Sequence, residues 1–439
     1  MAITGKTRYR SFVRASGGPR YVVALTVDAL GTGLLRPFLL LYGVTVSKLS
    51  APVTGTAMTV GVVAGLLCMP AVGRWLDRGA RSTVVAASML VRVLGVVLLL
   101  ADSAGYAWLF ATAALFLGIG NQAWPAAHAA LVATVADGRE RDAALAAGRA
   151  LRNAGLGAGA LVATACLTGG VEALRVLAVV TGLAYLVAAA LAWSVHVHAR
   201  QAPAPAEVGR RESVPRMGAL LAANVVYVFC LNVPEIALPL ILVTQLHASP
   251  VWSAAVFVAN TVLVVTLQIP VTVFLSRFPR RSVLGLGGVV LTVSYLGFLT
   301  AASLGAGWGA PAVAAVSVVC TVGEIVYAGS ATALVTALAP DRVLGRVLAR
   351  FQLSTGFGLA VSPAAITALA PHGPAALWGS LSAATLLAAG AVVTEKDPVK
   401  PPSAGVSAAK AGSIPSGGSV AASRGGTRSS IKDCSEWSP

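Results

Sequence analysis

The sequence predicts an all-α membrane protein: 12 transmembrane helices in two pseudo-symmetric six-helix bundles, with N- and C-termini cytoplasmic. Three observations carry this. The chain has 439 residues, 56% apolar and only 11% charged, whereas a soluble chain carries about 25% charged residues. The apolar residues come in runs of about 20, the length that crosses a ~30 Å hydrocarbon core. The second half also repeats the first. ALVATVA at 130–136 returns as ALVTALA at 333–339, an offset of 203, and Gly120-Asn121 returns as Gly323-Glu324 at the same offset. Arg149, Gly155 and Gly157 return as Arg350, Gly356 and Gly358 at an offset of 201, and Pro37 returns as Pro239 at 202. Twelve spans use most of the length, which excludes a large soluble catalytic or nucleotide-binding domain.

The elements follow in order. Residues 1–20 are basic (Lys6, Arg8, Arg10, Arg14, Arg20) and read as a cytoplasmic N-terminus. The next apolar stretch is too long for a signal-peptide core, contains Asp28, and is followed by no small-residue cleavage site, so it reads as an uncleaved first span. The N-terminal bundle, 21–195, holds spans at 21–43, 53–73, 82–102, 106–135, 144–168 and 172–194. Residues 196–216 are polar and Pro-rich and read as a cytoplasmic linker. The C-terminal bundle, 217–394, holds spans at 217–244, 251–275, 282–303, 311–338, 346–369 and 374–394. Residues 395–439 are rich in Gly, Ser, Pro and Lys and read as a disordered cytoplasmic tail.

The charge pattern sets the orientation. The net charge of +16 comes from 32 Lys/Arg against 16 Asp/Glu. Nearly all the bases fall on one side of the predicted membrane, in loops carrying Arg74/Arg78/Arg81, Arg139/Arg141, Arg210/Arg211, Arg277/Arg280/Arg281 and Arg342/Arg346. Only Lys48 and Arg175 fall on the other. This is the positive-inside distribution, and it explains the basic balance without nucleic acid as a partner. The five cysteines have no metal or redox spacing, and His196 and His198 lack a third ligand, so no metal site is expected. Gly5-Lys6-Thr7 lacks the upstream glycine of a phosphate-binding loop. No cofactor is implied, and a proton gradient is the expected energy source.

Charges within spans are costly and each is a functional candidate. Five stand out: Asp28 and Arg36 in span 1, Arg92 in span 3, Glu235 in span 7 and Glu324 in span 10. All other ionisable groups read as lying near an interface. Asp28 and Arg92 sit at similar depths and are placed to pair, either as a static bridge or as part of a proton or substrate site. Arg36 and Glu235 both fall in the outer halves of repeat-related spans, as an outer gate or as inert packing. Glu324 is the strongest candidate, because its repeat partner is the neutral Asn121. Asn121, Gln122 and Trp124 form a polar and aromatic cluster in span 4, either lining a cavity or bonding between helices. Two parallel six-helix repeats with a site between them mark one class of secondary transporter.

The loop between spans 2 and 3 reads Gly73-Arg74-Trp75-Leu76-Asp77-Arg78-Gly79-Ala80-Arg81. An acid there is placed to pair with the positive end of a neighbouring helix. The segment resembles the signature loop of the major facilitator superfamily. Ala80 and Ser82 depart from the usual pattern. A degenerate copy, Ser276-Arg277-Phe278-Pro279-Arg280-Arg281, keeps the bases and lacks the acid. Asp28…Gly31…Gly33…Pro37 and Gly323-Glu324…Pro340-Asp341-Arg342…Arg346 resemble multidrug/proton-antiporter-like exporters of that superfamily. Against this, Ala114 stands where that group has an arginine in the fourth helix, and Gly155-Leu156-Gly157-Ala158-Gly159 lacks the proline of its fifth. The small residues of that segment still allow close helix packing.

The resemblance implies two bundles rocking around a central cavity, and no enzymatic reaction. The expectation is a multi-pass protein of the cell membrane, in contact with membrane lipid, that exports a small amphipathic compound by proton antiport. Asp28, Arg92, Asn121, Gln122 and Glu324 would serve proton and substrate, Arg36 and Glu235 an outer gate, and Gly73, Asp77, Arg78 and Arg81 a cytoplasmic gating loop. No obligate protein partner is implied. Proton-coupled nutrient uptake, and a non-transporting sensor or scaffold acting through the tail, stay open as alternatives.

Overall fold

The computed structural model describes residues 16–78, 81–102, 106–195, 217–244 and 246–395. The linker 196–216, most of the N-terminal segment and tail, and Gly79 and Ala80 of the signature loop lie outside the described residues. With no water in a hydrocarbon core, every backbone polar group must be satisfied within its own segment, and helices achieve this.

The N-terminal bundle consists of α1 (Pro19–Thr45), α2 (Ala51–Asp77), α3 (Arg81–Ala101), α4 (Ala107–Val135), α5 (Gly138–Cys166) and α6 (Gly170–Trp193). The C-terminal bundle consists of α7 (218–244), α8 (Pro250–Leu275), α9 (Arg280–Ala302), α10 (Gly305–Leu338), α11 (Leu344–Leu369) and α12 (Ser380–Thr394). Among the described residues, 9 helices are long and apolar enough to cross a membrane by length and composition. The others are informative. Six charged residues (Arg139, Glu140, Arg141, Asp142, Arg149, Arg152) lie within α5. Asn121, Gln122 and His128 interrupt the apolar run of α4.

The third exception, α7, is not the continuous span that hydropathy draws over 217–244. It is α-helical over Gly218–Tyr227, tightens to a 3-10 turn at Val228–Asn232, widens to a π turn at Val233–Ala237, and resumes at Leu238–Thr244. Pro234 and Pro239 bring no backbone N–H, so the i→i−4 ladder cannot run through them. Its repeat counterpart α1 is likewise broken by a 3-10 turn at Arg36–Phe38, around Pro37. Two helices begin earlier than hydropathy predicts, α5 at Gly138 and α10 at Gly305. Hydropathy detects the apolar slab, whereas the helix continues through its polar approach.

The packing repeats as the sequence does. In the first bundle α4 packs on α2 and α3, α1 on α5 and α6, and α3 on α6. In the second, α10 packs on α8 and α9, α7 on α11 and α12, and α9 on α12. Each pair is the other's counterpart six helices on. The bundles meet through α2 with α11 and its counterpart α8 with α5, and through α4 with α11 and its counterpart α10 with α5. Much of the outward surface is apolar, with Leu67, Leu161 and Leu387 about three-quarters exposed, at 76%, 74% and 75%.

Within the first bundle α1 and α5 approach closely. A Cβ at Gly155 would lie 2.5 Å from the Cβ of Ala29, and one at Gly33 would collide with the Leu156 backbone. The small-residue segment of α5 thus lets the two backbones touch, as such residues do between membrane helices. Replacing Gly33 with Leu should force α1 and α5 apart. Overpacking of this kind costs about 1–3 kcal/mol, so the variant should show a lowered thermal unfolding midpoint in detergent. An unchanged midpoint would mean that the contact is not structural.

Candidate functional site

One buried carboxylate organises the first bundle. Asp28 and Thr32, one turn apart on α1, share a face. Arg92 on α3 brings Nη2 to 2.5 Å from Asp28 Oδ1, and both side chains are 0% exposed. Arg152 on α5 brings Nη1 to 3.8 Å from Asp28 Oδ2 and stays 17% exposed. Arg92 Nη1 also donates to Thr32 Oγ1 (3.3 Å), as does the Tyr185 hydroxyl of α6 (3.2 Å). The Thr32 hydroxyl in turn donates to the Asp28 carbonyl at 2.7 Å. Each guanidinium lies over an aromatic face: Arg92 over Tyr185 at 4.4 Å, and Arg152 over Trp124 at 4.3 Å. Such contacts favour cations held away from water.

Behind Trp124 the stacking continues. His128, one turn on along α4, lies parallel to the indole with centroids 5.1 Å apart, and Tyr21 of α1 stacks on His128. The Tyr21 hydroxyl and His128 Nδ1 are 2.9 Å apart.

In the second bundle Glu324 is buried on α10. Its Oε2 accepts a 2.9 Å hydrogen bond from Asn260 Nδ2 of α8, and the same amide donates to Thr321 Oγ1 at 3.0 Å. A second polar network lies beside it. Asn224 of α7 donates to Ser354 and Thr355 of α11 and accepts from the Tyr327 hydroxyl of α10.

Polar contacts cross between the bundles at two levels. In the middle, Gln352 Nε2 donates to Gln122 Oε1 (3.0 Å), and Arg149 Nη2 donates to Thr332 Oγ1 (3.1 Å). Arg149 also lies within electrostatic reach of Glu324. At the face carrying the basic loops the contacts are stronger. Asp77 Oδ2 accepts from Arg346 Nε at 2.6 Å, while its Oδ1 accepts from the Gly345 N–H (2.7 Å) and the Arg346 N–H (3.3 Å). The carboxylate therefore caps the start of α11, where charge and helix dipole agree. Gly73 packs directly on this turn, since a Cβ there would lie 2.8 Å from the Ala349 Cβ. Arg81 is buried, donating to the carbonyls of Ala130 and Asp341 and to the Thr134 hydroxyl.

The symmetric position holds a latch of reversed polarity. Arg280, from the degenerate loop between α8 and α9, pairs at 2.7 Å with Asp142 near the start of α5. Arg141 adds a bond to the Thr336 carbonyl.

Two bundles with paired contacts, joined at the basic face by Gly73, Asp77 and Arg81, agree with a family match along the chain. The family model described as Major Facilitator Superfamily matches residues 21–233 and again 220–427. The chain belongs to the major facilitator superfamily. A search of curated proteins found no match. Among solved structures, this superfamily chain is similar to the human organic anion transporter MFSD10 (TETRAN), with 13% identity over 85% of this chain and 98% of that one, and a TM-score of 0.68. It is also similar to a bacterial homologue of the iron transporter ferroportin in an outward-facing state (13%, 85% and 98%, TM-score 0.67). A third is the superfamily transporter FucP in the outward conformation (14%, 88% and 98%, TM-score 0.68). At these identities the likeness is one of fold. The superfamily fold makes this chain a multi-pass membrane transporter of the secondary type.

The structure brings Asp28 and Arg92 together, Gln122 against the opposite bundle, and Gly73, Asp77 and Arg81 into one latch. Arg78 is exposed at the end of α2, and Asn121 is half-buried on α4. Arg36 is exposed in the turn of α1, and the Glu235 side chain lies outside the described residues, so the outer pair is not described. One expectation is corrected. Arg149 and Arg152 are not interface residues. Arg152 reaches the same carboxylate as Arg92, and Arg149 crosses to α10. Hydropathy starts span 5 close to them and so reads both as flanking charges. Their i, i+3 spacing inside a run of small residues is the signal that finds them, since it sets both on one face.

Removing Asp28 should leave two buried guanidiniums without an anion. Breaking a buried ion pair this way costs about 3–5 kcal/mol, so Asp28→Asn should lower the unfolding midpoint strongly. Arg92→Gln should cost less, because Arg152 remains to neutralise Asp28. The Asp28→Asn/Arg92→Gln double variant should recover much of the loss in a double-mutant cycle. Simple additivity would refute the coupling.

Proposed function

We propose that this protein exports a small amphipathic compound across the cell membrane by proton antiport, with its basic face cytoplasmic. The observation that carries this reading is Glu324. It is a buried carboxylate in mid-helix, held by the Asn260 amide and within reach of Arg149 from the opposite bundle. A carboxylate buried at a mobile interface is the group type that serves as an intramembrane proton carrier.

The coupling follows from electrostatics. When Glu324 is ionised it attracts Arg149, which already bonds Thr332 two turns further along α10. That attraction favours the arrangement in which the two latches of the basic face are closed. Protonation from the outer side removes the attraction and shifts the balance toward opening at the basic face. There the proton leaves in exchange for substrate. Each ligand shifts the equilibrium by its differential affinity for the two arrangements. Asp28, clamped by Arg92, would be the second exchangeable carboxylate. Asp77–Arg346 and Asp142–Arg280 would hold the basic side shut.

Glu324→Gln, which mimics the protonated form, should fold normally and lose both proton release on substrate addition and proton-driven transport in everted vesicles. Full activity in this variant would sink the proton role. Substrate moving in the same direction as the proton would replace export by uptake.

The latch has a separate test. In a cysteine-free background, a cysteine at Gln352 should be alkylated from the basic face at least several-fold faster when Asp77 is changed to Asn. An unchanged rate would refute the gating assignment.

A further inference from the structure

The transport reading leaves the substrate open, and the charges held inside the helices narrow it. In the mid-membrane region the described side chains provide two carboxylates, Asp28 and Glu324, against three guanidiniums, Arg92, Arg149 and Arg152. The surplus is concentrated at Asp28. Its Oδ1 is committed to Arg92 at 2.5 Å, while Arg152 stands at 3.8 Å, beyond hydrogen-bond reach. One anion is thus shared by two cations, and a buried charge that is not fully neutralised is costly.

Access separates the two signs. The Asp28 side chain is fully buried, and Glu324 is 9% exposed with its Oε2 occupied by Asn260. The Arg152 side chain is 17% exposed and Arg149 is half-buried. Of the charges in this region, the two guanidiniums of α5 are therefore more exposed than the two carboxylates. Donors also remain unspent around this point. Among the described residues, Arg149 Nη1 and Trp124 Nε1 are buried with no hydrogen-bond partner, and Arg152 Nη1 faces Asp28 Oδ2 only at 3.8 Å. Arg149 and Arg152 lie one turn apart on α5, a like-charge spacing that destabilises a helix unless something compensates it.

The Arg152 guanidinium is also held in place. It caps a column in which Trp124, His128 and Tyr21 stack in succession. The indole is only 4% exposed, with Arg152 and His128 against it, so it serves to fix the guanidinium. A planar cation fixed on an aromatic face and undersupplied with anion is suited to two-pronged recognition of a carboxylate.

We propose that the transported compound is an organic anion, and that its carboxylate or equivalent anionic group docks on Arg152 with Arg149 as the second cation. The proposal rests on the transport reading for its place in a cycle, while the binding itself does not require proton coupling.

The test is calorimetric titration of the purified full chain in detergent with three probes of matched shape: 1-naphthoate, neutral 1-naphthamide and 1-naphthylmethylammonium. Naphthoate should bind at least ten-fold more tightly than either of the others. Arg152→Gln should weaken it at least ten-fold while keeping a wild-type unfolding midpoint, because Asp28 retains Arg92. Arg152→Lys keeps the charge without the planar fork and should weaken binding several-fold, which serves as the test if Arg152→Gln does not fold. Preference for the ammonium, unchanged naphthoate affinity in the Arg152 variants, or no naphthoate binding at millimolar concentration would overturn the proposal. Anion-selective binding without proton exchange would sink proton antiport and leave the anion site standing. Proton exchange driven by the ammonium would do the reverse.

Discussion

The structure turns on the cost of placing Asp28 in a bilayer. An ionised carboxylate with no water must be met by cations and donors. Satisfying it draws four helices together: α1 carries the acid, α3 and α5 bring Arg92 and Arg152, and α6 brings Tyr185. The glycines of α1 and α5 permit the approach, since any side chain at Gly33 or Gly155 would hold Arg152 away from Asp28. Backbone contact and charge pairing are therefore one constraint seen from two sides. The second bundle has the same helix pairing without this cluster. It carries amide and hydroxyl networks around Asn224 and Asn260 instead, the second of them holding Glu324. The scaffold is symmetric and the chemistry on it is not.

The contacts between bundles obey a different economy. At the basic face, Asp77 caps the start of α11 and pairs with Arg346, while Arg280 pairs with Asp142 at the symmetric position. The Arg346 and Arg280 side chains are partly exposed, at 42% and 28%. Partly solvated pairs are worth less than buried ones, and water can replace what is lost when they part. That suits contacts that must break and re-form. The Asp28–Arg92 pair is fully buried and lies within one bundle, so it would move as a rigid unit.

Much of this architecture is legible in the sequence itself. The spans follow from hydropathy, and their borders agree with the helices to within a few residues at most ends. The internal repeat announces the pairing of helices that the contacts display. Asp28, Arg92 and Glu324 stand out because charge in an apolar run is rare. The latch is readable from Gly73, Asp77 and Arg81 because a short loop leaves an acid few places to go. The broken course of α7 is less legible, since its prolines mark where the ladder fails without stating whether the turn tightens or widens.

Arg149, Arg152, Asn260 and Gln352 are not legible as site residues. Hydropathy is a property along the chain, so the sequence alone determined where the apolar runs lie and where the basic loops fall between them. Which guanidinium shares Asp28, which amide holds Glu324, and which glutamine meets Gln122 depend on helix rotation, tilt and depth relative to a neighbour far away in sequence. Those quantities are set by packing of small residues between helices, as at Gly33 and Gly155. An arginine such as Arg149, a few turns beyond the charged start of α5, counts as a flanking base in one dimension. Only the tertiary structure turns it toward the interior, where the low dielectric makes its charge count.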